Sequence, residues 1–229
     1  MGQSADGTGL DWDGARPLSR RYGDGYFCAD GLAESRHVFL AGNDLPARFR
    51  PGFRIAELGF GTGLNMLAAL LAWRAAGIAG SLHYTGFEAH PLAAEDIARA
   101  LAPFHELAPV AGRFLGAWAR DRRRMHLEGI TIDIVEGDAR ETLPAWTGRA
   151  DAWFLDGFAP ARNPELWELP LLAEVAGHSA PGATLASFTA AGHVRRALDA
   201  AGFAVERRPG FGRKRHMTTA RLRGRGAPD

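Results

Sequence analysis

Cysteine is nearly absent: Cys28 is the only one among 229 residues, so no intramolecular disulfide can form and a cysteine-based metal centre is not expected. No apolar run approaches the roughly 20 residues that a membrane-spanning helix needs. The opening MGQSADGTGLDWDG is too polar and acidic for a secretory signal, so a cytoplasmic location is expected. The 8 histidines show no ligand spacing such as H-E-x-x-H, and no G-x-S-x-G stretch marks a serine-hydrolase elbow. Neither the dinucleotide fingerprint G-x-G-x-x-G nor the lysine-bearing P-loop occurs, which disfavours NAD and ATP. Lysine occurs once, at Lys214; arginine supplies the rest of the positive charge.

With 46% hydrophobic residues, the chain has enough material for one globular domain with a sizeable core. The net charge of +1 conceals an asymmetry. Between Arg207 and Arg225 lie Arg207, Arg208, Arg213, Lys214, Arg215, Arg221, Arg223 and Arg225 with no carboxylate among them, a pattern suited to a polyanion or to a solvated tail. Arg120, Arg122, Arg123 and Arg124 form a second cluster.

Residues 1–15 are expected to be disordered, residues 16–50 to form a small N-terminal cap with a hairpin in YGDGYFCADGL and a helical turn in SRHVFLAGN, and residues 223–229 to form a basic tail. The core is expected over 53–222. FRIAELGFGTGLNMLAALLAW reads as a strand, a glycine loop and a helix. Strands follow at SLHYTGFE, ITIDIVEGD, DAWFLDGF and ATLASFT, alternating with helices after Pro91, over Pro164–Gly177 and in AGHVRRALDAAG. A helical or irregular insertion fills 102–128, and FAVERRPG with MTTARLRG closes the chain as a hairpin. Strands alternating with helices imply an α/β fold with a mostly parallel sheet.

Four stretches, each at a strand end, carry chemistry. In ELGFGTGLN, Gly59, Gly61 and Gly63 let the backbone approach a ligand at a helix N-terminus, where free amides favour an acceptor-rich group. An acidic residue, Glu57, two positions before such glycines is the pattern of class I methyltransferases, whose loop wraps S-adenosylmethionine. Glu88 ends the second strand and is placed to accept the hydroxyls of a ribose; Asp138 ends the third and is placed to meet an adenine. Asp156, at the tip of the strand in WFLDGFAPARNPELW, would stand beside the transferred methyl group, with Phe158 and the prolines walling a substrate slot. A carboxylate suits an amine acceptor, because an alkylammonium must lose a proton before it has a lone pair with which to attack.

RPLSRRYGDGYF, ESRHVFLAGNDLPARF, ELGFGTGLN, WFLDGFAPARNPELW, SFTAAGHVRRAL and GFGRKRHM, in this order over about residues 16–222, resemble the MnmC-like methyltransferases. These are stand-alone MnmD proteins or the methyltransferase half of bifunctional MnmC. The resemblance implies a class I, Rossmann-like fold with a seven-stranded sheet, and methylation of the 5-aminomethyl nitrogen on the wobble uridine of tRNA to give 5-methylaminomethyl(-2-thio)uridine. It implies that Gly59, Phe60, Gly61 and Gly63, flanked by Glu57 and Asn65, hold S-adenosylmethionine, with Glu88 on the ribose, Asp138 at the adenine and Asp156 meeting both methyl donor and amine. Phe158, Arg213, Lys214 and Arg215 would contact the tRNA anticodon loop. No metal is implied. No second glycine-rich βαβ unit for FAD is present, so a separate FAD-dependent oxidase or another enzyme would supply the aminomethyl group. His216 departs from the family, which more often has an acid there. The alternative is a methyltransferase of a small-molecule amine.

Overall fold

A computed structural model describes residues 9–224 of the chain. Leu10–Asp13 (β1), Arg16–Ser19 (β2) and Asp24–Gly25 (β3) form a small antiparallel sheet in that order. The expectation of disorder over residues 1–15 is therefore corrected for 9–15, while residues 1–8 lie outside the described residues. An acidic four-residue strand has no local signal; here it is held by the buried side chain of Leu10 and by Arg99 lying 4.0 Å from the Trp12 ring centroid. Gly31–Ser35 (α1) runs on through a π turn at Arg36–Leu40 and a 3-10 turn at Ala41–Asn43, and stops where Asp44 turns left-handed (φ 55). Val38, Phe39 and Leu40 are buried, so this cap packs onto the core.

The core elements are Arg54–Leu58 (β4), Leu64–Ala76 (α2), Leu82–Glu88 (β5), Ala94–Leu101 (α3), Ala108–Arg120 (α4), Arg124–Leu127 (β6) and Ile130–Glu136 (β7). Ala139–Ala145 (α5), Ala150–Leu155 (β8), Leu169–Gly177 (α6), Ser179–Ser187 (β9), Gly192–Ala200 (α7), Phe203–Pro209 (β10) and His216–Leu222 (β11) complete them. The main sheet has the order β10-β11-β9-β8-β4-β5-β7-β6. Pairings from β9 across to β7 are parallel, and β10, β11 and β6 join antiparallel.

The sheet thus has eight strands, one more than expected. β6 lies inside the segment 102–128, where the sequence predicts helical or irregular structure, and is joined to β7 by a tight turn in which Gly129 has φ 87. The helix expected over Pro164–Gly177 is also divided, into a 3-10 turn at Pro164–Trp167 and α6. Pro170 has no N–H to donate and belongs in the first turn of a helix. The chain therefore restarts its helix at Leu169.

β8 shows why the sheet is buried on both sides. Its two-residue period sends Ala152 and Phe154 to the cluster under α2 and α4, and Trp153 and Leu155 to the cluster under α5, α6 and α7. From β4 the chain moves to β5 on one side, while β8 lies on the other. In an open α/β sheet this reversal leaves a crevice at the carboxyl ends of the strands. Among the described residues, no helix is long and apolar enough to cross a membrane.

Candidate active site

The carboxyl ends of β4, β5, β7 and β8 open into one cleft of about 1170 Å³. Its floor is the loop after β4. There the amides of Gly59 and Phe60 donate to the carbonyl of Phe87 (3.0 and 3.3 Å). Gly59 has φ 84, and a side chain on it would collide with the carbonyl oxygen of Asp156; this glycine lets the loops after β4 and β8 touch. Gly61 (φ 55) donates its N–H to Glu88 Oε2 (2.9 Å), and a Cβ there would come within 3.1 Å of the Tyr26 ring. Gly63 sits behind the loop, facing the rings of Phe114 and Phe60. Phe60 borders the cleft, but its own ring is buried and stacked on Trp118 (centroids 5.5 Å apart). No side chain caps α2, so the amides of its first turn are available to a carboxylate in the cleft.

Glu88 is half-buried, with Oε1 accepting from His90 N (2.8 Å) and Oε2 from Gly61 N. Two backbone donors fix its orientation and leave lone pairs for hydroxyl groups. Asp138 borders the cleft and also caps α5, accepting the Arg140 N–H at 2.9 Å. The Arg140 guanidinium, hydrogen-bonded to Asp138, holds that carboxyl below its usual range.

Asp156 and Glu57 form a linked pair. The Asn65 side-chain NH₂ donates to Asp156 Oδ2 (2.6 Å) and to Glu57 Oε1 (2.7 Å), and the Tyr84 hydroxyl donates to Glu57 Oε2 (2.7 Å). Burial pushes the Asp156 carboxyl up to about 7; the Asn65 hydrogen bond opposes this, the Glu34 charge adds to it and Lys214 offsets it. Burial, and next the Asp156 charge, push Glu57 well above its ordinary value despite its two donors. Glu57 is fully buried and does not border the cleft. Its hydrogen-bond partners are Asn65 and Tyr84, so Glu57 supports Asn65 from beneath.

The N-terminal cap forms the opposite wall. Phe158 stacks on Tyr22 (4.6 Å) and makes a T-shaped contact with Tyr26 (5.1 Å), so one face of the ring expected to contact the substrate is already covered. Asp24 Oδ2 accepts the Ala159 N–H (2.9 Å), and Trp167 donates to the Phe158 carbonyl (2.9 Å), which ties the loop after β8 to both cap and core.

Lys214 turns into the cleft, its Nζ 2.9 Å from Glu34 Oε1 and 4.1 Å from the Phe188 ring centroid. Arg213 and Arg215 are exposed and have no carboxylate partner among the described residues. Several other basic residues are engaged. Arg122 pairs with Glu136 and Arg124 with Asp133 at the far edge of the sheet, while Arg208 and Arg221 pair with Asp44. His216 is exposed at the start of β11. Among the described residues no group of three or more His, Cys, Asp or Glu is arranged to hold a metal.

Sequence reasoning missed Tyr22, Tyr26, Glu34, Tyr84 and Phe188. The aromatics alternating with glycines in YGDGYF were a signal for a wall. Glu34 and Tyr84 had none, since their partners are remote in sequence.

A family model described as S-adenosyl-L-methionine-dependent methyltransferase matches residues 104–223, more than half of the chain. A protein of Caulobacter sp. (strain K31), named tRNA 5-methylaminomethyl-2-thiouridine biosynthesis bifunctional protein MnmC, is 51% identical over 226 residues, covering 92% of this chain and 38% of its own. The protein of the same name from Ectopseudomonas mendocina (strain ymp) is 49% identical over 96% of this chain and 35% of its own. The chain thus spans somewhat over a third of the length of these relatives. The crystal structure of MNMC2 from Aquifex aeolicus superimposes with a TM-score of 0.74 at 25% identity, covering 93% of this chain and 69% of that one. Sheet order, glycine loop and family model agree, and the chain belongs to the S-adenosyl-L-methionine-dependent methyltransferases.

Proposed function

We propose that this methyltransferase methylates the 5-aminomethyl nitrogen of the wobble uridine in tRNA, forming 5-methylaminomethyluridine with or without a 2-thio group. The observation that carries the reading is Asp156. It is a carboxylate at the sheet's switch point, poised near neutrality, with Oδ2 occupied by Asn65 and Oδ1 without a protein partner among the described residues. The names of the long relatives point to the same base.

The residues present fit the cofactor: the uncapped end of α2 suits an amino-acid carboxylate, Glu88 suits a ribose, and Asp138 borders the cleft beyond it. Bound there, S-adenosylmethionine supplies an electrophilic methyl group. Asp156 has the simpler task of orienting the acceptor ammonium and taking the proton that it must lose. A carboxyl near 7 is ionised in a large fraction of molecules at neutral pH, yet basic enough to hold that proton. The wall of Tyr22, Tyr26 and Phe158 bounds the same space, and displacement gains from positioning without covalent catalysis. Exposed Arg213 and Arg215 would hold phosphates flanking the target base, which the single-stranded anticodon loop can splay outward. The aminomethyl group must already be present on the tRNA for this step.

The test is transfer of labelled methyl to tRNA carrying 5-aminomethyluridine and to the free nucleoside, each over a range of salt. The expected result is efficient labelling of the tRNA that weakens steeply as salt rises. Equal, salt-independent labelling of the free nucleoside would instead establish a small-amine enzyme.

A further inference from the structure

We propose that Glu34 and Lys214 form a reading pair for the imide edge of the acceptor base, completed by the hydroxyl of Ser35; this rests on the aminomethyluridine reading above. Sheet order separates the two halves of the cleft. The glycine loop, Glu88 and Asp138 follow β4, β5 and β7 on one side of the switch point. Asp156 and Phe188 follow β8 and β9, and Lys214 precedes β11, which runs antiparallel beside β9. The acceptor's half of the cleft is therefore where Glu34 and Lys214 meet, close enough for both charges to act on Asp156.

Three observations argue for a ligand. Glu34 is buried (9% exposed), and a buried carboxylate is costly to keep unless its partner or its role requires it. The pair sets a hydrogen-bond acceptor beside a donor on one wall, with the Lys214 ammonium over the ring of Phe188. That pattern is complementary to an N–H next to a carbonyl, as in a uracil ring, and opposed to cytosine, which reverses both groups. Finally, the Ser35 hydroxyl, on a residue bordering the cleft, is buried with no hydrogen-bond partner among the described residues. A helical serine usually returns its hydroxyl to the preceding turn; a carbonyl of a bound base would satisfy this one. Cys28, beside Glu34, does not compete as a nucleophile, since burial and then the Glu34 hydrogen bond push its thiol up to about 11.

The experiment compares anticodon stem-loops carrying 5-aminomethyluridine or 5-aminomethylcytidine, with kcat/KM measured for the wild-type chain and for Glu34→Gln, Lys214→Met and Ser35→Ala. Wild type should favour the uridine. Glu34→Gln and Lys214→Met should each reduce that preference about tenfold or more, and cofactor affinity should stay within about twofold. If rates fall while the uridine-to-cytidine ratio stays at the wild-type value, the pair only tethers the loop and the proposal is overturned. If Glu34→Gln does not fold, the ratio for Lys214→Met and Ser35→Ala decides, and an unchanged ratio in both overturns it. No methylation of either stem-loop by wild type would remove the aminomethyluridine reading itself, and this inference with it.

Discussion

Replacing Asp156 by Asn keeps the shape of the side chain and removes its proton chemistry, so stability and activity should part company. Moving a carboxyl from its ordinary 3.8 to about 7 corresponds to at most about 4 kcal/mol. Asp156 opens on the cleft, whose water screens part of this, and about 1–3 kcal/mol is a fair expectation. The sign follows from linkage. A carboxyl with a raised value holds a proton in the folded chain that the unfolded chain releases, so its contribution is complete below about pH 4 and lost as pH rises through 7. At pH 8 the wild type has lost it and carries a buried charge, whereas the Asn variant has no proton to lose. Urea unfolding should therefore show the variant about 1–3 kcal/mol more stable than wild type at pH 8, with the difference shrinking towards pH 4. Burial raises Glu57 in both chains, and loss of the Asp156 charge relieves it in the variant, which adds to the same pH-dependent difference. Methyl transfer should be nearly abolished with cofactor affinity retained. A stability difference that does not vary with pH would refute the raised carboxyl, and near-normal turnover would refute its role.

Asn65→Ala removes the hydrogen bond that holds Asp156 down, so the ascending limb of kcat/KM, expected near pH 7 in wild type, should move to higher pH; an unmoved limb would contradict the coupling. Gly59→Ala places a side chain against the Asp156 carbonyl at a left-handed φ and should cost about 2 kcal/mol or more, read as a lowered Tm. Replacing Arg213 and Arg215 together by Ala should weaken tRNA binding and reduce its logarithmic salt slope by about 1 to 2. Cofactor affinity should not change, and undiminished tRNA binding would take that loop out of the interface.

The parallel core was legible because its strands are short apolar runs ended by glycine, proline or an acid, and because helices intervene. The glycine loop and the acids at 88, 138 and 156 were legible for the same reason: a strand end fixes which edge of the sheet a residue occupies. What escaped were features decided by tertiary contact. β1 and β6 are four-residue edge strands whose charged residues mask them, and only their partners hold them in place. Glu57 shows a missed parity: it lies on the same face of β4 as Ile55, which packs in the core cluster beneath α2, so its side chain had to point inward. Glu34 meets Lys214 across 180 positions, a distance over which no local pattern operates.

The most direct test of the central claim is nucleoside analysis by mass spectrometry of tRNA bearing 5-aminomethyluridine, digested after reaction with S-adenosylmethionine and either the wild-type chain or the Asp156→Asn variant. The account predicts that wild type converts the wobble nucleoside to 5-methylaminomethyluridine and that the variant leaves it unchanged. A methyl group on any other nucleoside, or no methylation by a wild-type chain shown to bind the cofactor, would contradict it.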